Sequence, residues 1–147
     1  MFIAIEEVRS VADVPCLSNI CRFPHCDALG IKIRMNVTYH GTPKRYWESL
    51  DSSEPYVPAD YPKDGFIHTT DGPEAISMTL TRFYKSNPEP FVLLHIDKDC
   101  VTSPIRYDDP AEIFPHIYGP LNRDAILAVE EIRRSSDGTF CKPLLKW

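Results

Sequence analysis

Three of the five histidines lie in short motifs that are rich in hydroxyl, aromatic, glycine and proline residues. In chain order the motifs are Tyr39-His40-Gly41-Thr42-Pro43, Gly65-Phe66-Ile67-His68-Thr69-Thr70 and Phe114-Pro115-His116-Ile117-Tyr118-Gly119-Pro120-Leu121. Imidazole and hydroxyl groups form hydrogen bonds with polar ligands, and an imidazole also takes up or releases a proton near neutral pH. These residue types predict that the three motifs are walls of one polar site.

The first two motifs suit a ligand that carries sugar hydroxyls. His40 and Thr42 flank a glycine at the expected end of a strand, and Gly41 would let a ligand approach the backbone closely. In the second motif side chains alternate across a strand, so His68 and Thr70 face the same side. The alternative for the second motif is an exposed edge strand with its polar residues outward.

Two prolines restrict the third motif. Pro115 and Pro120 limit the backbone around His116 and Tyr118, which favours a bend over a regular helix. Loops fixed in this way often aim functional side chains, so His116 and Tyr118 are candidate catalytic residues. The alternative is that the turn itself is what the prolines specify.

The segments that must position these motifs alternate between strand and helix and then end in several strands. A helix capped by Thr42 is predicted to reach about Leu50, and a second helix begins at Asp71-Gly72-Pro73-Glu74. This order favours an α+β domain. Runs of β-branched and aromatic residues predict strands over residues 37–40, 66–70, 91–96, 105–107 and 125–132.

Length and composition predict one globular domain. The chain has 147 residues, of which 43% are apolar, the size of a single core. Residues 1–35 lack sustained periodicity and are read as an N-terminal extension, which leaves residues 36–147 as the domain. Within it, the proline-rich stretch 51–65 is a long loop. Tyr56 and Tyr61 would either close over a ligand as part of a lid or rest on the core.

The charge and hydropathy of the chain restrict its partners and its compartment. A net charge of −5 argues against nucleic acid as the default partner, because phosphate backbones bind clustered lysine and arginine. No apolar run approaches the ~18 residues of a membrane span, and the acidic start does not resemble a signal peptide. We therefore expect no membrane partner, a small-molecule ligand and a cytoplasmic location, with the nucleus as a possible additional one.

The cysteines do not predict a metal site. Five cysteines, an odd number, fit unpaired thiols in a reducing compartment better than a disulfide framework. Three of them, Cys16, Cys21 and Cys26, lie in one short segment. A structural zinc site would need a second pair of ligands elsewhere in the chain, and the sequence offers none. No metal is expected, although a metal held by the three motif histidines is a lesser alternative.

Taken in this order and spacing, the three motifs resemble the domain-of-unknown-function family 952. The resemblance runs from about Val37 to Phe140, and it includes Trp47 four residues after the first motif. That family is similar in fold to the ADP-ribosyltransferases. The resemblance therefore implies two small mixed or antiparallel sheets around an NAD-binding cleft, with flanking helices.

The resemblance also implies roles for particular residues. His40 with Thr42 matches the His-x-Thr pair that contacts the adenosine ribose and the nicotinamide amide region in the histidine branch of that superfamily. The usual catalytic glutamate has no clear counterpart, because neither Glu112 nor Glu130 stands in a recognisable catalytic context.

Members of that superfamily that act on phosphorylated RNA ends do without the glutamate and rely on histidine and arginine. Here Arg82 and Arg106 could supply the cation, because a guanidinium group binds phosphate oxygens in pairs. Their alternative role is a surface charge on a helix and on a strand.

Two functions of different classes follow. In the first, the protein is a glycosyl or ADP-ribosyl transferase or an NAD-cleaving enzyme that acts through an oxocarbenium-like state, with NAD as substrate and an acceptor that the sequence does not specify. In the second, the cleft binds a nucleotide or metabolite without chemistry. The candidate catalytic residues are His68, His116 and Tyr118, and the candidate nucleotide-binding residues are His40, Gly41, Thr42, Thr70, Arg82 and Arg106.

Overall fold

The computed structural model describes residues 35–147, so the predicted extension lies outside the described residues apart from Met35. The cysteines near the N-terminus lie outside them as well. The strands are β1 (Val37–Pro43), β2 (Ile67–His68), β3 (Phe91–Asp97), β4 (Ile105–Tyr107), β5 (Pro115–Ile117) and β6 (Ile126–Glu131). The helices are α1 (Lys44–Ser49), α2 (Tyr61–Asp64) and α3 (Pro73–Tyr84), with 3-10 turns at Lys98–Cys100 and Arg123–Ala125.

The strands form two small antiparallel sheets, with the orders β1-β3-β6 and β2-β5-β4. The predicted α+β class with two small sheets is therefore confirmed. Backbone hydrogen bonds of 3.0 and 2.9 Å between Tyr39 and Thr70 connect β1 to the residues that follow β2. The two sheets thus meet where the first two histidine motifs lie.

Strand β3 is the centre of the fold and is buried along its whole length. Its side chains alternate between two apolar clusters, as expected of a strand covered on both faces. Val92, Leu94 and Ile96 pack in the cluster that includes the second sheet, whereas Phe91 and Leu93 pack in the cluster that includes α3. The first sheet is therefore held between the second sheet and α3.

The second sheet turns its histidines away from this core. Ile67 of β2 and Ile117 of β5 are fully buried and directly opposite each other. Because neighbouring side chains point to opposite faces of a strand, His68 and His116 lie on the other face. Burial of the two isoleucines therefore decides where the imidazoles go.

Two predicted helix caps are not formed. Asp71 does not cap α3, which begins after Gly72 without a side-chain cap, because its carboxylate binds Lys98 Nζ and the Tyr107 hydroxyl, each at 2.6 Å. Thr42 does not cap α1, because it still belongs to β1 and Pro43 precedes the first helical residue. Asp71 is therefore engaged by side chains from elsewhere in the chain, and Thr42 by strand pairing, so neither caps the helix that follows it.

The long loop is fixed to the core. Tyr56 is fully buried and pairs with Leu121 through backbone hydrogen bonds of 2.8 and 2.9 Å. Arg123 donates to the carbonyl oxygens of Glu54 and Asp51 at 2.9 and 3.0 Å. Of the two readings of this loop, the structure supports the one in which Tyr56 rests on the core.

One expectation about thiols is wrong. Cys100 is disulfide-bonded, whereas Cys141 is a free thiol. An odd number of cysteines is compatible with a disulfide and a remaining thiol together, so the count does not decide the compartment. Across residues 35–147, no helix is both long and apolar enough to cross a membrane.

We expect Gly41→Ala to destabilise the fold. A Cβ at this position would lie 2.4 Å from Leu80 Cδ2, and Leu80 is buried against the first sheet. Overpacking of this kind costs roughly 1–3 kcal/mol in the free energy of unfolding, which urea denaturation measures. The matched test is the same substitution in a Leu80→Ala background, where the loss should be smaller. Equal losses in the two backgrounds would contradict the steric explanation.

Candidate functional site

A cavity of about 470 Å³ opens between the end of β1, strand β2, helix α3 and the loop that precedes β5. Each of the three motif histidines contributes to its wall. The candidate residues that line it are His40, Gly41, His68, Thr70, Arg82 and His116, whereas Thr42, Arg106 and Tyr118 do not line it. The structure therefore brings the three motifs together but leaves three of the candidate residues behind or beside the wall.

His40 is held by hydrogen bonds at both ring nitrogens. Its Nδ1 lies 2.6 Å from the carbonyl oxygen of His68, and its Nε2 lies 2.9 Å from the Tyr56 hydroxyl. A carbonyl oxygen only accepts, so Nδ1 carries the proton and Nε2 accepts from Tyr56. This assignment holds for a neutral ring, and the ring ties together β1, β2 and the loop that carries Tyr56.

Burial keeps His40 uncharged. Desolvation lowers its pKa from 6.5 to about 4, and the hydrogen bond to the His68 backbone only partly opposes this shift. In this arrangement neither ring nitrogen is free to bind a ligand. A direct contact from the His40 ring to a ribose hydroxyl would require one of these two hydrogen bonds to break.

Thr42 belongs to the same buried arrangement. It is 3% exposed, and its side chain hydrogen-bonds to the phenol of Tyr56. The implied contact between Thr42 and a ribose therefore does not fit this structure, since the hydroxyl serves the core. The room beside Gly41 that was expected for a ligand is occupied in part by the side chain of Leu80.

The other two motif histidines each pair with a carboxylate. Nε2 of His68 lies 2.9 Å from Asp64 Oδ2, and Nδ1 of His116 lies 2.9 Å from Asp108 Oδ2. Phe66 stacks on the His116 ring with 4.0 Å between centroids and 22° between planes. One nitrogen of each imidazole is thus fixed by a carboxylate while the rings remain on the cavity wall.

Tyr118 acts on this arrangement from one side. Its hydroxyl donates to Asp108 Oδ2 at 2.5 Å, and that hydrogen bond to the carboxylate is the main cause of the raised pKa of Tyr118. Hydrogen bonds from Tyr118 and His116 in turn lower the pKa of Asp108. Tyr118 therefore holds Asp108 ionised and in position, and it does not face the cavity itself.

The two candidate arginines have different positions. Arg82 of α3 lines the cavity, with its guanidinium carbon 5.5 Å from the centroid of the Phe83 ring. Arg106 lies opposite His116 in the β4–β5 ladder, and its guanidinium carbon is 5.0 Å from the centre of the Tyr118 ring. Only Arg82 is placed to meet a ligand directly.

Aspartates are the functional candidates that the motifs did not reveal. Asp60, Asp64, Asp108 and Asp109 all line the cavity. Asp64 lies four residues before His68 in the sequence. Gly65 lies between them and ends α2 with a positive φ of 76°. The four-residue spacing could have indicated the Asp64–His68 pair from the sequence alone. The hydrogen bond between Asp108 and His116, in contrast, depends on how β4 and β5 pair.

Neither of the glutamates considered as catalytic lines the cavity. Glu112 lies in the preceding loop at a φ of 52°. Glu130 accepts from the backbone amides of Leu144 and Leu145 and lies 3.7 Å from the buried His95. Both carboxylates are therefore outside the candidate site.

The three-histidine metal alternative does not fit the geometry. Within the described part of the chain, no group of three or more His, Cys, Asp or Glu side chains lies close enough to hold a metal ion. The nitrogens of His40 are already bonded to protein groups. The histidines meet as hydrogen-bonded side chains and not as a set of converging ligands.

Protonation of His40 should destabilise the protein in acid. Because the pKa of His40 is about 4 in the folded state and 6.5 as the ordinary value, the unfolded chain binds this proton first. The contribution of neutral His40 to the free energy of unfolding is therefore complete above about pH 6.5, and it is lost as the pH falls to about 4. The loss should be roughly 3 kcal/mol at most.

This prediction is tested by urea denaturation of the wild type and of His40→Asn between pH 7.5 and 4. The asparagine retains a donor but has no titratable ring. The stability difference between the two proteins should shrink as the pH falls through this window. A difference that is independent of pH would contradict the assignment of a neutral, buried His40.

The comparisons with known proteins agree with this architecture. Crystal structures of protein CC0527 from Caulobacter crescentus and of its double mutant are each 20% identical at a TM-score of 0.61, covering 71% of this chain and 92% of that chain. The solution NMR structure of CC0527 gives a TM-score of 0.57 at 20% identity, with 71% and 90% covered. This likeness concerns the fold alone.

No curated protein matches the chain significantly. None of the matched structures is described as an ADP-ribosyltransferase, so the finer part of that resemblance gains no support from them. The family described as protein of unknown function (DUF952) matches residues 41–129. Since this match spans more than half of the chain, the protein belongs to the DUF952 family.

Proposed function

We propose that the cavity binds a ribosyl compound of the nucleotide type, of which NAD and ADP-ribose are the examples suggested by the resemblance to ADP-ribosyltransferases. The observation that carries the proposal is the meeting of two carboxylate-paired imidazoles with aromatic rings in one cavity of about 470 Å³. A cavity of this size with a few convergent polar groups is typical of a small-molecule site.

The lining matches the parts of such a ligand. Phe66, Phe83 and Phe114 supply apolar faces for a heterocycle. The cavity aspartates, with Thr70, supply acceptors for sugar hydroxyls. Among the described residues that line the cavity, Arg82 is the one arginine or lysine that could meet a phosphate. These groups support recognition of a sugar joined to a flat ring.

The same groups support cleavage of the glycosidic bond. His116 donates through Nδ1 to Asp108, so that Nε2 is the nitrogen that could take a proton from an attacking water. Carboxylates on the wall would stabilise the positive charge that develops on the sugar ring. Tyr118, which was a candidate proton donor, would act through Asp108 as a positioning residue.

A second candidate is a binding module that performs no chemistry. It is favoured by one observation, which is that no glutamate lines the cavity among residues 35–147. A glutamate that orients the ribose would be expected of an ADP-ribosyltransferase. In this alternative His68 and His116 would hold the ligand by hydrogen bonds alone.

Ligand binding is tested by thermal denaturation with NAD, ADP-ribose or adenosine. At a ligand concentration of 100 times Kd, the folded state should gain about 2.7 kcal/mol, which raises the melting midpoint by several degrees. Phe66→Ala should reduce the shift, because it removes the ring beside His116 and His68. The exposed Lys142→Ala is the matched control and should behave as the wild type.

Catalysis is tested by following release of nicotinamide from NAD and of nucleobase from nucleosides. Activity of the wild type that falls to background in His116→Ala would support the enzyme over the binding module. Binding without any release would favour the module. If no ribosyl compound raises the midpoint, the proposed function is wrong in both forms.

A further inference from the structure

Two histidine–aspartate pairs stand side by side on the cavity wall. His68 and His116 are directly opposite each other in the β2–β5 ladder, with ring centroids 5.4 Å apart. The carboxylate oxygens of Asp64 and Asp108 each lie 2.9 Å from one nitrogen of these rings. Phe66 contacts both imidazoles, at 4.7 and 4.0 Å between centroids.

Each carboxylate fixes the tautomer of its imidazole. An ionised carboxylate only accepts hydrogen bonds, so Nε2 of His68 and Nδ1 of His116 are donors. The second nitrogen of each ring, Nδ1 of His68 and Nε2 of His116, is then the atom that gains or loses a proton. When one ring is charged and the other neutral, the pair offers a general acid and a general base to one ligand.

Exposure distinguishes the two rings. The side chain of His68 is 61% exposed, whereas that of His116 is 17% exposed. The more exposed ring of His68 can regain a proton directly from solvent. This difference makes His68 the acid and His116 the base.

We propose that this pair cleaves ribosyl compounds whose leaving group must gain a proton, with nucleosides of neutral purine or pyrimidine bases as the substrate class. The inference rests on the function proposed above. Nicotinamide leaves NAD as a neutral molecule when the bond to its pyridinium nitrogen breaks, and so it needs no acid. A neutral nucleobase would leave as an anion without one.

The reaction is a hydrolysis. The bond between the anomeric carbon and the nucleobase nitrogen breaks, and its electron pair remains with the nucleobase, which receives the proton from Nδ1 of His68. Water forms a new bond to the anomeric carbon, and its proton moves to Nε2 of His116. Proton exchange with solvent restores both rings, and the products are ribose and the free nucleobase.

The charges of the cavity favour the same substrate class. Four aspartates line it, and Arg82 is the only Lys or Arg side chain among its described lining residues. A diphosphate would bring further negative charge near these carboxylates, which costs Coulomb energy. A nucleoside is uncharged, and the carboxylates stabilise the positive charge that forms on its sugar ring as the bond breaks.

The experiment compares the wild type with His68→Gln and His116→Gln, and with Lys142→Ala as the surface control. Purine and pyrimidine nucleosides and NAD are supplied in parallel, and released nucleobase or nicotinamide is separated by liquid chromatography. We expect a larger kcat/KM for at least one nucleoside than for NAD. On that nucleoside each histidine variant should lose roughly 10²- to 10⁴-fold in kcat, whereas Lys142→Ala should not.

A 4-nitrophenyl riboside separates the two roles, because nitrophenolate leaves without a proton. On this substrate His68→Gln should stay within about tenfold of the wild type, whereas His116→Gln should remain slow. The profile of kcat/KM against pH should be bell-shaped in the wild type. His116→Gln should lose its acid limb, and His68→Gln should lose its alkaline limb.

The outcomes separate this inference from the proposed function. Nucleosides that raise the melting midpoint without being cleaved would overturn the acid–base assignment and leave ribosyl binding intact. Faster cleavage of NAD than of every nucleoside, or equal losses of His68→Gln on nucleoside and nitrophenyl riboside, would also overturn it. A midpoint unchanged by every ribosyl compound would overturn both.

Discussion

The hydrogen bonds of the buried His40 are the constraint on which the rest of the site depends. One imidazole joins the backbone of β2 to the hydroxyl of Tyr56, and Tyr56, which belongs to the long loop, is itself fully buried. An unpaired polar group in this environment would cost about 1–3 kcal/mol. The buried His40 ring therefore fixes the position of β2 relative to β1, together with the backbone hydrogen bonds between Tyr39 and Thr70. The positions of the side chains on the cavity face of β2 depend on these bonds.

The three motif histidines divide into one structural residue and two that remain available for chemistry. They share a residue type, but His40 is enclosed and bonded at both nitrogens, whereas His68 and His116 keep one nitrogen each beyond their carboxylate partners. The difference arises from the strand pattern. Burial of Ile67 and Ile117 directs the rings of His68 and His116 outward, while the pairing of β1 with β3 carries His40 into the junction.

Much of the fold follows from local patterns, whereas the roles within the site do not. Runs of apolar and β-branched residues predicted β3 and β6, and helical spacing predicted α3. Such signals exist because β3 is buried on both faces and α3 buries one face. The motifs also predicted that the three histidines would meet. The partners of those histidines lie elsewhere in the chain, at Tyr56 for His40 and at Asp108 for His116. A hydrogen bond set by strand pairing leaves no periodic trace in the sequence, so the structural role of His40 and the importance of Asp108 could not be derived from it.

The cavity aspartates connect the electrostatics of the site to the type of chemistry that it can support. Asp108 accepts from both Tyr118 and His116, and these hydrogen bonds keep its pKa low, so its negative charge is present at neutral pH. That charge opposes the binding of an anionic ligand and favours any step in which the ligand becomes positive. Cleavage of a glycosidic bond is such a step, since charge builds on the sugar as the leaving group departs. The carboxylates that weigh against a diphosphate are therefore the same groups that would lower the barrier for an uncharged riboside.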